Sequence, residues 1–368
     1  MPDSLSVSIS RNDPADDDAF ARWHAVYSAA RRHDRGPEAP VWSQAELGAQ
    51  LRVERSSSRT ELYLAHRPAE ERRPIGAIAL TVPLRDNRHR VDVELYVDPE
   101  SRRRGVGSAM LEFVRTRARE LGRRVIASEV FRPYEGAGRT FVDADRAAEP
   151  ADLGTGDSRT AALVPGIAFA EHHAFAFAIG ELRSECPLPL EPTLIRAIAE
   201  EAQPFHEDFE LRSWSGDVPE EFVAQWAQME GLIETEAPTG EREIEPSATS
   251  AADIREQEAI LAAQGRTSFA AIALDPSGDI AAYTQLVHSS AESMVYQWGT
   301  LVRAEHRGHR LGAAVKAAAA GEFARSELAA RAIITYNAEE NEHMLAINRR
   351  LGFRPIERLE EIELNLDA

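Results

Sequence analysis

Apolar residues recur along this chain in two registers, and the switches between them mark its elements. Alternating or continuous apolar runs predict strands at 61–65, 75–82, 91–97 and 124–130, and again at 268–274, 281–287, 295–302 and 332–336. Apolar positions at helical spacing predict helices over 16–32, 108–121, 193–202, 219–233 and 313–329, the last alanine-rich and so of high intrinsic helix propensity. Pro276-Ser277-Gly278-Asp279 supplies the turn chemistry of a hairpin. Residues 133–165 have no apolar period and predict a long loop, either a cover over a ligand or a tolerated surface insertion.

The two halves repeat one unit of strand, basic glycine-containing turn, helix and strand. In the first, 91–97 lead through Asp98-Pro99-Glu100-Ser101 into Arg102-Arg103-Arg104-Gly105-Val106-Gly107 and a helix. In the second, 295–302 lead through Arg303-Ala304-Glu305-His306 into Arg307-Gly308-His309-Arg310-Leu311-Gly312 and another helix, at matching offsets. A chain of 368 residues exceeds what one core usually organises. The repeat therefore predicts two α/β domains on mixed sheets, residues 1–190 and 205–368, with a linker at 191–204 beside a proline-rich stretch.

A strand that passes through a glycine turn straight into a helix aims several backbone N–H groups at one point, with the positive end of the helix dipole behind them. Such a point suits a diphosphate: glycine clears the approach, and arginines add charge. The first candidate comprises Gly105, Val106, Gly107 and Ser108 with Arg102, Arg103 and Arg104, flanked by Leu95, Tyr96 and Val97 of the strand. The second comprises Arg307, Gly308, His309, Arg310, Leu311 and Gly312, flanked by Leu301 and Val302. One such turn is weak evidence; two at matching places in a repeat are stronger.

On these residues the first turn resembles the acetyl-coenzyme A signature of the GNAT N-acetyltransferases: Gln or Arg, two residues, Gly, one residue, then Gly or Ala. The second is similar but has Arg310 where the first signature glycine stands. Asn337-Ala338-Glu339-Glu340-Asn341 leads into a helix ending Asn348-Arg349-Arg350-Leu351-Gly352-Phe353, which is similar to the late helix of that family with its closing Gly-Phe. Residues 169–175 are the weaker counterpart in the first half, with Ala174 in place of that glycine. The whole resembles tandem GNAT proteins of actinomycete type. This implies two tandem acyl-coenzyme A N-acyltransferase folds, acetyl-coenzyme A as donor, and direct attack of a neutral amine without metal or covalent intermediate. It also implies that the strand before the turn splays, so that its backbone N–H meets the thioester carbonyl.

In many members a tyrosine four residues before the closing glycine protonates the departing thiolate; Asn348 and Ala170 stand there instead. A non-catalytic acyl-coenzyme A sensor is therefore the competing reading. Glu94 is a candidate general base or a solvated strand carboxylate, and Tyr336 a substitute acid. Asn348 is a partner for the sulfur or the pantetheine arm, and Asn337 and Asn341 are pantetheine ligands, helix caps or both. Glu236 belongs to an acidic loop at 234–240, where the family usually forms the acceptor pocket, and Trp226, Met229 and Trp298 line that pocket or serve the core. The first turn keeps the complete signature while the second half keeps the better late helix and the acidic loop. The sequence leans slightly to the second half as the catalytic one.

The formal charge, 42 minus 61 or −19, argues against nucleic acid or an anionic membrane as partner and favours a cationic small-molecule amine. The run Arg102 to Arg104 is too short for a nucleic-acid patch. A single cysteine, Cys186, excludes an internal disulfide or thiolate cluster and fits a reducing compartment. His172, His173, His306, His309 and His343 lack the spacing of zinc sites, so no metal is expected. No apolar run approaches the roughly 20 residues of a membrane span, and residues 1–11 lack a secretory pattern. A cytoplasmic monomer with internal pseudo-symmetry, or a homodimer, follows as the expectation.

Overall fold

The computed structural model describes residues 6–36, 39–68, 73–134, 164–236 and 238–367. Its first half runs β1 (Ser8–Asn12), α1 (Asp17–Arg35), α2 (Gln44–Arg52), β2 (Ser58–His66), β3 (Pro74–Pro83), β4 (Arg90–Val97), α3 (Val106–Glu120), β5 (Val125–Pro133), α4 (Pro165–His172) and β6 (Ala176–Pro187). The second runs α5 (Pro192–Ala202), β7 (Glu210–Ser215), α6 (Val223–Glu236), α7 (Ala251–Ala263), β8 (Arg266–Leu274), β9 (Ile280–Ser289), β10 (Met294–Val302), α8 (Leu311–Arg325), β11 (Ala332–Ala338), α9 (Glu342–Arg350) and β12 (Arg354–Asn365). Most of the loop expected at 133–165 lies outside the described residues.

Local chemistry sets the helix ends. The Asp16 side chain accepts from Ala19 N to start α1, which stops at Gly36 with φ 78°. Ser250 and Asp253 form a reciprocal capping box on α7. Asn341 accepts from Met344 N at 3.1 Å and caps α9, one of the two roles expected of it. Helix α6 extends through Glu236, so the start of the acidic loop expected at 234–240 is helical.

All strands join one sheet in the order β1-β2-β3-β4-β5-β12-β6-β11-β10-β9-β8-β7. The last strand of each half sits beside the other half's parallel strand. β12 pairs antiparallel with β5 from Glu357↔Pro133 to Asn365↔Val125. β6 pairs antiparallel with β11 from Ala332↔Pro187 to Ala338↔Glu181, and β6 and β12 pair with each other at the centre. Each half has helices on both faces. One core joins Met110 and Val114 of α3 to Ile78, Leu80 and Val93, and a second joins Phe20, Trp23 and Tyr27 of α1 to Leu62, Leu64 and Ala79 on the opposite face. In the second half Val315 and Phe323 of α8 meet Phe269, Ala271 and Val295, and Trp226 and Met229 of α6 meet Ile272 and Tyr283.

Candidate active site

In each half a parallel pair forms for three residues and then parts: Arg90↔Val125 to Asp92↔Ala127 for β4 and β5, and Met294↔Ala332 to Tyr296↔Ile334 for β10 and β11. Beyond the last pair the facing backbone groups of β4 and β5 are no longer satisfied by each other, which leaves N–H donors available to a ligand. In β10 the register against β9 also shifts between Gln297 and Thr300.

At the end of β4 the chain turns into α3 through Gly105, whose φ of 80° is left-handed and suits glycine. No side chain caps α3, and nothing lies within 4 Å of where a Gly105 side chain would stand. The first N–H groups of the helix therefore have no side-chain cap. Arg102 is held by Asp34 at 2.5 and 2.9 Å. Arg103 and Arg104 are exposed and, among the described residues, are tied by no ion pair. Ser108 Oγ lies 3.0 Å from His173 Nε2.

A cavity of about 500 Å³ opens at this turn, with Arg103, Gly105 and Gly107 on one side and Phe169 and His173 on the other. It shares Leu95, Val97 and Arg102 with a smaller cavity of about 200 Å³ that reaches between β4 and β5 to Glu94 and Glu129. These two carboxylates also line a third cavity, of about 430 Å³, on the face of the sheet covered by α1. Turn, strand opening and central chamber thus share lining residues, each with the next.

The chamber draws on both halves: Tyr27, Arg31 and Glu129 from the first, and Tyr296, Trp298 and Tyr336 from the second. Glu181 on β6 completes an acidic wall. The Glu129 side chain opens on the cavity but is hemmed in by protein, and this burial together with Glu94, Glu361 and Glu181 pushes its pKa up to about 8. Burial and Glu361 push Glu181 up to about 7, against the pull of Arg242. Tyr96 donates to Glu94, and Arg31 donates to Tyr96 at 3.0 Å while lying 3.6 Å from Glu94. Arg31 also draws the Glu129 pKa down, but burial outweighs it and places Glu129 to exchange a proton near neutral pH.

The second turn is arranged differently. Arg310 adopts φ 52° in the glycine position, stacks over the Phe205 ring at 4.0 Å and donates to Glu201 O at 3.0 Å. The C-terminal end of α5, which packs along α8, is thus tied down beside the start of α8. Arg307 pairs with Glu236 at 2.6 Å. His309 Nδ1 lies 3.2 Å from His306 O. Leu311 and Gly312 are buried; Leu301 is in the core, and Val302 packs against it.

The sequence-derived candidates therefore separate. Leu95, Val97, Arg102, Arg103, Gly105, Val106, Gly107 and Ser108 come together around one cavity, while Tyr96 turns to the α1 side and Arg104 borders a small neighbouring hollow. Glu94 and Tyr336 meet in the chamber, whereas Glu236 does not line it. Asn348 is buried on the other face of the sheet, accepts from Lys316 Nζ at 3.0 Å and donates to Asn337 at 2.6 Å. Trp226 and Met229 serve the core, and Trp298 lines the chamber. Glu129 and Glu181 were not singled out from the sequence. The available signal for Glu129 was a lone carboxylate inside an otherwise apolar strand run.

Residues 23–141 match the family model described as the acetyltransferase (GNAT) family. Across 98% of its length the chain has the fold of a tandem GNAT protein from the clavulanic acid biosynthesis pathway, with TM-score 0.71, 21% identity and 99% of that chain covered. A GCN5-related N-acetyltransferase from Sphaerobacter thermophilus gives TM-score 0.61 at 14% identity over 100% of this chain and 97% of that one. At these identities the likeness is one of fold. No curated protein matches the chain.

Proposed function

We propose that this chain, whose residues 23–141 match the GNAT acetyltransferase family and whose fold is that of a tandem GNAT protein, is an acetyl-coenzyme A-dependent N-acetyltransferase whose first half holds the donor and whose two halves together build the acceptor chamber. The observation that carries this is the series of cavities, each sharing lining residues with the next, from the uncapped α3 start, between β4 and β5, to the carboxylates of the central cavity. The units at 1–190 and 205–368 then divide the work, the second lending aromatic wall rather than a second donor site.

The first turn fits the cofactor on its own chemistry: free N–H groups at a helix start, a glycine with open space before it, and two exposed arginines. Gly105 to Ser108 would hold the diphosphate, with Arg103 and Arg104 adding charge. When bound, acetyl-coenzyme A supplies an activated acyl thioester. Backbone N–H groups of β4, freed where it parts from β5, are the donors available to the carbonyl oxygen. Glu129 takes the proton of the entering ammonium, so that the amine reaches the opening neutral. The acidic, aromatic lining recruits a cation from water and holds it by charge and ring faces. Tyr336 borders this acceptor space.

Titration calorimetry with coenzyme A tests the division. One site per chain is expected. Reversing Arg103→Glu and Arg104→Glu together weakens binding at least ten-fold, since each exposed charge-assisted contact contributes on the order of 1 kcal/mol. Arg307→Glu leaves it within two-fold. Two equal sites, or loss at Arg307→Glu alone, would overturn the proposal. Tight binding with no thiol release for any amine supports the sensor reading instead.

A further inference from the structure

The central chamber has a neighbour of different character. A second inter-half cavity, also about 430 Å³, shares Trp42, Gln50 and Trp298 with it. Beyond that threshold the rings give way to amides and hydroxyls, Gln257 and Gln264, Ser57, Ser247 and Thr249, set among three carboxylates, Glu230, Asp253 and Glu256, and two arginines, Arg55 and Arg85. Its charges are largely settled internally. Arg85 pairs with Asp253 at 2.7 Å, and the Glu256 carboxylate takes the Ser56 N–H at 3.3 Å. Arg55 donates to Gln257. Burial pushes the Glu230 carboxyl up towards its neutral form, although it accepts from Trp226 Nε1 at 2.8 Å.

We infer that the two cavities are one bipartite acceptor site. The amine enters the acidic chamber, and the rest of the acceptor, an uncharged and hydroxyl-rich body of about two sugar rings, occupies the amide- and hydroxyl-lined chamber across the Trp42/Trp298 threshold. The reasoning rests on the acceptor reading above and on three physical points. Each cavity lies within the size range that encloses a small ligand, so a short amine fills the first and leaves the second wet. A charge-balanced wall rich in donors and acceptors offers a second ammonium no net attraction but matches hydroxyls group for group. Indole faces at the threshold suit the flat, apolar face of a sugar ring. Arg266 lies over the Trp42 ring at 4.3 Å and fixes its position.

The test is steady-state thiol release with four acceptors: glucosamine, its β-linked dimer with galactose (one amine, the second ring neutral), 1,4-diaminobutane and spermidine. The expected result is a kcat/KM for the dimer at least ten-fold above that for glucosamine, carried mainly by KM. In Gln257→Leu, and independently in Thr249→Val, that dimer-over-monomer preference falls at least five-fold, with melting curves checking that each variant is folded. Equal values for monomer and dimer, spermidine as the best of the four, or an unchanged preference in both folded variants overturns the bipartite site and leaves the acetyltransferase reading standing. Coenzyme A binding without turnover of any of the four removes the acceptor reading, and this inference with it.

Discussion

Replacing Glu129 by glutamine separates a working carboxylate from a structural one, because the two predict opposite effects on stability. In the folded chain burial and its acidic neighbours raise this pKa from 4.5 to about 8. The sign follows from linkage. A carboxyl with a folded pKa above its unfolded value costs nothing below about pH 4.5, costs progressively more as pH rises towards 8, and a constant amount above. At about 1.4 kcal/mol per pH unit the ceiling approaches 5 kcal/mol. The side chain opens on a solvent-filled cavity, so screening reduces the effect to about 1–2 kcal/mol. Glu129→Gln, which keeps the shape and removes the charge, should therefore raise the melting temperature by roughly 1–3 °C at pH 8 and leave it unchanged near pH 4. Over the same range kcat/KM for an amine should fall about 10²- to 10⁴-fold, the usual contribution of a positioned base. The wild-type to variant ratio of kcat/KM should climb with pH and level off above about 8; taking the ratio cancels the amine's own ionisation. Differential scanning fluorimetry and thiol release across pH 4–9 supply both readouts. A variant that is less stable at pH 8, or a ratio that stays flat with pH, refutes the assignment of the base.

Two further predictions bear on the framework. Lys316 is fully enclosed, and burial pushes its pKa down to about 7, so as pH falls from 10.5 towards 7 the unfolded chain gains a proton that the folded one refuses, and stability is lost. Lys316→Met should gain roughly 5 kcal/mol of relieved desolvation at pH 7 and lose about 1–3 for the unpaired Asn348 carbonyl, a net gain of about 2–4. The gain should shrink towards pH 10.5 in urea titrations, and a loss of stability at pH 7 contradicts the argument. Residues 1–190 alone should aggregate, because removing β12 bares the long edges of β5 and β6, and co-expression with 191–368 should recover a soluble complex by size-exclusion chromatography. A monodisperse, folded 1–190 fragment would show that the strand exchange is dispensable.

The repeated strand-turn-helix-strand unit was legible because its apolar positions follow the burial of its elements: β4, α3, β10 and α8 lie within a few residues of where the patterning predicts them. The central strands β6 and β12 escaped for an electrostatic reason. Both are studded with charge, as in Leu182-Arg183-Ser184-Glu185 and Glu357-Arg358-Leu359-Glu360-Glu361, which patterning reads as solvent-facing. In the fold those charges neutralise one another across strands. Glu357 is clasped by Arg35 and by Arg183 at 2.7 Å, Glu360 by Arg132 at 2.9 Å, and Glu361 by Arg242 at 2.8 Å. These partners are up to 322 residues apart in sequence, so no local window reveals them. The shared chamber was hidden for the same reason, since its walls meet only after the exchange.

The repeat itself accounts for the division of roles proposed for the two halves. The strand registers make Arg90 equivalent to Met294 and Val125 to Ala332, which sets Glu94 against Trp298 and Glu129 against Tyr336. All four line the same chamber. At two matched places the first half presents carboxylates that can move a proton, and the second presents rings that hold a cation without competing for it. The turns diverge in step. Gly105, with open space before it, corresponds to Arg310, whose guanidinium is stacked on Phe205 and bonded to the end of α5. In the helices behind them Leu111 corresponds to Lys316, enclosed and bonded to Asn348. A second donor site would need that arginine released and α5 withdrawn from α8, which would uncover Ile195, Ile198 and Ala199, packed there against the core. The apolar area lost in that step opposes opening. On the proposed division the second half is a wall of the acceptor site, and the charge and hydrogen bonding that the reaction would need gather on one side of the chamber.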